Sequence, residues 1–203
     1  SDNPAQRKAI EHEAGALLIE AGPGTGKTFT LSRRIARMVN DHCITPASIL
    51  ALTFTNKAAE EMSRRVEALV SEATSRPFIA TFHRLCLFLL KEHHGSAGLD
   101  RDFPLLDEPS KLTRLKRSQE ATDAEARKIV AQISRVKQGL SEPTTADRDL
   151  AGAWLNYERE KKRLGALDLD DLVRETVRLF NEQPGILAAC RARWPHILVD
   201  EYQ

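Results

Sequence analysis

The chain has 203 residues, 41% of them apolar and 29% charged, with a formal net charge of +1. This is a soluble globular profile with material for one core, and the near-neutral balance gives no whole-chain signal for nucleic acid. No apolar run approaches the roughly 18 residues of a membrane-spanning helix, and no basic-then-apolar leader opens the sequence. The three cysteines, Cys43, Cys86 and Cys190, are widely spaced. They read as free thiols in a reducing cytoplasm rather than as disulfides or a metal site.

In chain order, Ala16–Glu20 is a short apolar run that predicts a strand, and it ends at a glycine-rich turn. That turn is Ala21-Gly22-Pro23-Gly24-Thr25-Gly26-Lys27-Thr28, and a helix over 28–40 follows. Strand, loop and helix in this order are the setting of a Walker A phosphate loop. Its glycines let backbone N–H groups approach phosphate oxygens, and the helix N-terminus adds positive potential. Lys27 is the expected counter-charge to the β- and γ-phosphates, and the Thr28 hydroxyl the expected Mg²⁺ ligand. Ala21 stands where the strict pattern begins with Gly. A dinucleotide-binding GxGxxG reading fails, because the third position is Lys27.

Next, 49–54 predicts a second strand, and 57–70 a helix with Ala58, Met62, Val66 and Leu69 at helical spacing. A third strand is expected over 77–81, leading into an apolar helix through Leu90. From Lys91 to Gly165 no strand is expected. Pro104, Pro109, Pro143, Gly95, Gly98 and Gly139 punctuate helical stretches there, and Thr122 with Glu125 reads as a capping box. Between Lys111 and Lys137, eight basic residues (Lys111, Arg114, Lys116, Arg117, Arg127, Lys128, Arg135, Lys137) face three acidic ones, Glu120, Asp123 and Glu125. A solvated helix face and a phosphate-binding surface both account for that excess. Finally, Ile197-Leu198-Val199 is a fourth strand ending at Asp200-Glu201. Ligands of open parallel sheets bind at the carboxyl edge, so Asp200 is expected to hold Mg²⁺ and Glu201 to orient and activate the attacking water. Strands alternating with helices predict an α/β fold with a parallel sheet.

These residues and their neighbours resemble the UvrD/Rep/PcrA group of superfamily 1 DNA helicases over most of the chain. Asn3-Pro4-Ala5-Gln6 looks like the group's N-terminal glutamine motif, which implies that Gln6 reads the adenine edge. Ala51-Leu52-Thr53-Phe54-Thr55-Asn56-Lys57-Ala58-Ala59-Glu60-Glu61-Met62 resembles motif Ia, which implies single-stranded DNA contact through Phe54, Thr55, Asn56 and Lys57. Thr81-Phe82-His83-Arg84 resembles motif Ib, with Arg84 where the group often has Ser. It implies DNA contact through Thr81, Phe82 and His83, although His83 reads equally well as a polar residue at a helix start. Asp168-Leu169-Asp170-Asp171-Leu172 is similar to an acidic segment of the group, with Leu169 in place of its usual aromatic and an expected helix-start and domain-joining role. Asp200-Glu201-Tyr202-Gln203 resembles motif II, and Gln203 is expected to couple the nucleotide to the DNA face.

The resemblance implies a RecA-like P-loop NTPase sheet carrying a helical inserted subdomain: 1–90 as the first part of the RecA-like domain, 91–165 as the insertion, and 166–203 as the second part. It implies an ATP-dependent translocase using ATP and Mg²⁺, acting on single-stranded DNA and single-strand/duplex junctions. It also implies a larger parent whose further domains supply arginines to the γ-phosphate, so that the chain alone is expected not to unwind DNA. The alternatives are the helicase part of a recombination helicase-nuclease and a P-loop NTPase of another class, such as a nucleotide kinase. A non-catalytic DNA-binding or scaffold module is a further alternative, against which the intact Lys27, Thr28, Asp200 and Glu201 argue.

Overall fold

The computed structural model describes residues 3–13, 15–22, 24–70, 75–119, 122–137 and 148–202. Pro23 and Gln203, both named above as site residues, lie outside the described residues, as do Glu120, Gly139 and Pro143. In chain order the elements are α1 (Pro4–Glu11), α2 (Lys27–Asn40), β1 (Ile49–Thr53), α3 (Asn56–Leu69), β2 (Phe78–Thr81), α4 (Phe82–Glu92) and α5 (His94–Ala97). They continue with β3 (Leu105–Leu106), α6 (Glu108–Gln119), α7 (Asp123–Lys137), α8 (Arg148–Arg163), β4 (Leu167–Asp168), α9 (Leu169–Glu182), α10 (Pro184–Arg193) and β5 (His196–Val199). Two compact units result: Ser1–Arg84 with Gly185–Gln203, and Leu85–Pro184.

The first unit is built on a parallel sheet of order β2-β1-β5. Every residue of β1 is buried, as a central parallel strand requires when both of its faces are covered. Ile49 and Ala51 of β1 pack with Leu31 and Ile35 of α2, Met62 and Val66 of α3, and Leu198 of β5. Burial of each large aliphatic side chain among them contributes about 1.5–3 kcal/mol. Polar residues on the inner face of α2 are tolerated because they bond back to its own carbonyls: Thr30 Oγ1 donates to Gly26 O at 3.0 Å and Ser32 Oγ to Thr28 O at 2.8 Å. Arg34 fastens α1 to α2 by donating to the carbonyls of Ala9 (2.9 Å) and His12 (2.6 Å).

The strand expected over 16–20 is not formed. The segment lacks ladder hydrogen bonds, and Leu17 and Leu18 are exposed, Leu18 by 66%. A strand exists through a hydrogen-bonded neighbour, and no strand among the described residues pairs with this one. β5 pairs with β1 only, and its Ile197 is 59% exposed. Conversely, a two-residue strand, β3, forms where none was expected and pairs in parallel with β4.

In the second unit, Leu106, Leu115, Ile133, Ala153, Tyr157 and Ala166 form the core. The ring of Tyr157 faces three ammonium groups, those of Lys111, Lys137 and Lys161, at 5.8, 5.6 and 5.5 Å from its centroid. Lys137 Nζ lies 2.7 Å from Asp168 Oδ2, 2.9 Å from Asp171 Oδ1 and 2.9 Å from Glu158 Oε1. Lys111 donates to Asp170 Oδ2 at 3.0 Å, and Lys161 to Asp171 and Glu158. The Tyr157 hydroxyl donates to Asp168 Oδ2 at 3.0 Å. Asp168 is also the N-cap of α9, in a reciprocal capping box with Asp171. The acidic segment therefore starts a helix, as expected, and also neutralises buried lysines from α6, α7 and α8. The carboxylates of Glu158, Asp168 and Asp171 converge closely enough to hold a cation, and the lysine ammoniums fill that role.

Candidate nucleotide and nucleic-acid site

The loop between residues 20 and 27 turns at Gly24 (φ +73°) and Gly26 (φ +85°), backbone conformations that L side chains adopt only with strain. Gly26 is also confined: a Cβ there would meet Gln6 Nε2 at 3.1 Å. Gly26 opens α2 without a side-chain cap, so the first N–H groups of that helix have no side-chain competitor for an anion. Lys27 folds back over the loop, its Nζ donating to Ala21 O at 2.8 Å and Gly22 O at 3.4 Å. Thr25 Oγ1 donates to Gly22 O at 2.7 Å. The carbonyls of the loop thus hold the Lys27 ammonium.

Gln6 reaches the same loop. Its Nε2 donates to Thr25 O at 3.0 Å, and its Oε1 accepts from Asn3 N at 3.1 Å while Asn3 Oδ1 caps Gln6 N. Both ends of the amide expected to read adenine are thus engaged.

At the far end of the sequence, β5 delivers Asp200 to the carboxyl edge of the sheet. Asp200 is buried, and its Oδ2 accepts from Thr28 Oγ1 at 2.9 Å across 172 positions of sequence. Two hard oxygen donors, a hydroxyl and a carboxylate, are brought into direct contact at the first turn of α2, and such ligands suit Mg²⁺. Glu201 follows in the left-handed region (φ +59°), a strained conformation for a residue with a side chain. A cleft of about 930 Å³ runs beside these groups, lined by Leu17, Leu18, Lys27, Ile197, Asp200 and Glu201 among others.

Thr53 and Thr81 end β1 and β2 as register partners, so Phe54 and Phe82 leave the sheet from adjacent strands. Phe54 is 76% exposed and Phe82 is also exposed, a pair of apolar faces at one edge. Asn56, Lys57, His83 and Arg84 are exposed beside them. The other two expected donors have structural duties: Thr55 Oγ1 accepts from Ala58 N at 3.1 Å as the N-cap of α3, and Thr81 Oγ1, buried, accepts from Arg84 N at 3.2 Å.

The basic stretch is half consumed internally. Lys111 and Lys137 are buried in the ionic cluster, Arg114 pairs with Glu160 at 2.6 Å, and Lys116 pairs with Asp123. Arg117, Arg127, Lys128 and Arg135 stay exposed. Sequence reasoning missed this division, because the partners of Lys137 lie on α8 and α9, beyond the reach of a local charge count.

A parallel sheet, a glycine-rich loop opening α2 and a buried carboxylate at the sheet's carboxyl edge together have the arrangement of a RecA-like P-loop fold. Comparison with known proteins narrows that class. The family model for the UvrD/REP helicase N-terminal domain matches residues 2–203, and the chain belongs to that family. It is 34% identical over 214 residues to the ATP-dependent DNA helicase PcrA of Bacillus subtilis (strain 168), and 36% identical over 214 residues to the PcrA of Staphylococcus epidermidis. Each alignment covers 99% of this chain, and the chain spans 29% of the length of those relatives. Among the described residues, no helix is long and apolar enough to cross a membrane.

Proposed function

We propose that the chain is the ATP- and DNA-binding front part of an ATP-dependent DNA helicase that works in the cytoplasm. The observation that carries this reading is the contact between Thr28 and Asp200, which unites the phosphate loop with the acidic strand end. On this reading the RecA-like domain is 1–90 with 166–203 and its helical insertion 91–165, whereas the compact units of the fold divide at 84/85 and 184/185, and the remaining helicase domains of the parent are its partners.

Lys27 exchanges the Ala21 and Gly22 carbonyls for the β- and γ-phosphates of ATP. Backbone N–H groups of Ala21, Gly22, Gly24, Thr25 and Gly26 form the cradle; Pro23, in the same stretch of sequence, has no N–H to offer. Gln6 releases its present partners to meet adenine. Thr28 and Asp200 hold Mg²⁺, whose bound form neutralises charge on the phosphate oxygens. Glu201 orients the attacking water and accepts its proton, and Gln203 links this site to the DNA face. Single-stranded DNA, including that at a duplex junction, lies along the carboxyl edge of β1 and β2. Phe54 and Phe82 stack on bases there, Asn56, Lys57 and His83 meet phosphates, and Thr55 and Thr81 support those contacts by capping α3 and α4.

Titration with a fluorescent ADP tests the phosphate loop. The chain should bind it in a Mg²⁺-dependent manner, and Lys27→Ala should lose that binding because the main counter-charge is gone. Equal affinity of the two proteins would remove the assignment.

A further inference from the structure

Thr53 closes β1, is 1% exposed, and its hydroxyl has no hydrogen-bond partner among the described residues. A buried hydroxyl without a partner forfeits its bonds to water and gains nothing in return. Valine has the same shape and would fill the position without that loss. The strand therefore explains a β-branched residue at 53 but leaves the hydroxyl unexplained.

Position in the sheet indicates what the hydroxyl serves. Leu52 pairs with Val199, and the ladder runs one step further as Asp200 N donates to Leu52 O at 2.8 Å. Thr53 and Asp200 are thus neighbours at the carboxyl edge. Side chains alternate along a strand, which puts Thr53 on the face of Ala51. Ala51 and its register partner Leu198 pack with Leu31 and Ile35 of α2. Asp200 is bonded on this same side, to Thr28 in the first turn of α2. On the other flank, Thr81 directs its hydroxyl oxygen to the backbone of α4. Thr53 thus ends its strand between Thr81, whose hydroxyl caps α4, and Asp200, the carboxylate proposed to hold the cation.

We propose that Thr53 is a positioning residue of the Mg²⁺–nucleotide site, its hydroxyl donating to an oxygen on the Asp200 side of the cation's shell once nucleotide is bound. The inference rests on the reading that Thr28 and Asp200 hold Mg²⁺. Thr53 touches neither phosphate nor the attacking water. It fixes the carboxylate, or the water which that carboxylate holds.

The test compares wild type, Thr53→Val and Thr53→Ser in the 203-residue chain by two measurements: thermal melting without nucleotide, and affinity for methylanthraniloyl-ADP in Mg²⁺ and in EDTA. Thr53→Val should melt at or above the wild-type temperature and keep its affinity in EDTA. Its Mg²⁺-dependent gain in affinity should fall about tenfold, the scale of one hydrogen bond to a charged group. Thr53→Ser should retain most of the gain. If Thr53→Val disturbs the fold, Thr53→Ala against Thr53→Ser carries the same comparison. A full Mg²⁺ response in the hydroxyl-free variant would make Thr53 a packing residue and overturn the inference alone. A wild-type chain whose ADP binding ignores Mg²⁺ would overturn the Thr28–Asp200 reading, and the inference with it.

Discussion

At the scale of single residues, Gln6 carries two demands that compete. Its amide closes the capping box of α1 and bonds to Thr25 of the phosphate loop, yet the proposed function asks it to read adenine. If it does, ATP should outcompete GTP for the site, and Gln6→Ala should narrow the gap. A bidentate amide–adenine contact is worth roughly 1–3 kcal/mol in nucleic-acid readout, and release of the present partners reduces the net effect. Competition titrations of wild type and Gln6→Ala with both nucleotides measure it, and equal affinity for ATP and GTP in wild type would set the assignment aside. The cysteines offer a check on burial itself. Burial raises the pKa of the Cys86 thiol, whereas Cys43 is exposed. Cys43 should therefore react with a maleimide well before Cys86 at neutral pH, since the thiolate is the reactive form; mass spectrometry of partly labelled protein reports the order.

At the scale of elements, the ionic cluster joining α6, α7, α8 and α9 dominates the second unit. Burial works against the charge of Lys137, but the carboxylates of Asp171 and Asp168 outweigh it and hold its pKa above the ordinary 10.5. Burial likewise works against the charge of Asp168, and the ammoniums of Lys137, Lys161 and Lys111 overcome it, keeping its pKa below the ordinary 3.8. A depressed carboxylate stabilises the fold above its unfolded pKa and ceases to do so as pH falls through the folded value. A raised lysine stabilises it below its unfolded pKa and fails only as pH rises through the folded value. The cluster should thus contribute evenly from about pH 5 to about pH 9 and be lost progressively below about pH 4, as a pH series of urea unfolding would record. Lys137→Met leaves buried carboxylates short of a counter-charge and should cost about 3–5 kcal/mol, read as a lowered urea midpoint. An unchanged midpoint would mean that Lys111 and Lys161 suffice. None of this was legible in the sequence, where Lys137 is one more cation in a basic run and Asp168 a helix cap; the partners lie 31 and 34 positions away. What was legible is local. The glycine turns at Gly24 and Gly26, the capping box of Thr122 with Glu125, the β1–α3 and β2–α4 turns and the acid at the end of β5 follow from short-range pattern. The apolar run at 16–20 shows the limit of that reading, since pattern marks a segment fit for a strand while pairing decides whether one forms.

At the scale of the whole molecule, two exposed aromatic residues and a scatter of exposed cations bear on DNA binding. Phe54 and Phe82 are the aromatic faces proposed for stacking, and Lys57, Arg84, Arg117, Arg127, Lys128 and Arg135 are exposed cations. Single-stranded DNA should bind weakly, with an affinity that falls steeply as salt rises. Lys57→Ala should lower the log–log salt slope by about 0.7, the value of one phosphate contact on a single strand. Fluorescence anisotropy across a salt series measures both quantities, and a slope unchanged by Lys57→Ala would place the phosphates elsewhere. Hydrolysis is a harder task than binding. On the proposed reading Lys27, Thr28, Asp200 and Glu201 place phosphates, cation and water, but developing charge on the γ-phosphate calls for a further cation. Arg34, the arginine that lines the cleft, is committed to the carbonyls of Ala9 and His12. In related phosphoryl-transfer enzymes an arginine finger is worth roughly 10³–10⁵ in rate, and translocation needs two domains that close on each nucleotide and reopen. The chain spans 29% of the length of its PcrA relatives, and we expect the missing arginines and the closing partner to reside in the remaining length of such a parent. The 203-residue chain should therefore turn over ATP very slowly, with little response to single-stranded DNA, and should displace no strand from a partial duplex. A steady-state ATPase assay with and without single-stranded DNA, run beside a strand-displacement assay, decides the matter. Robust DNA-stimulated turnover by the chain alone would mean that the charge on the γ-phosphate is already met from within these 203 residues, and that the site extends beyond the loop, Asp200 and Glu201.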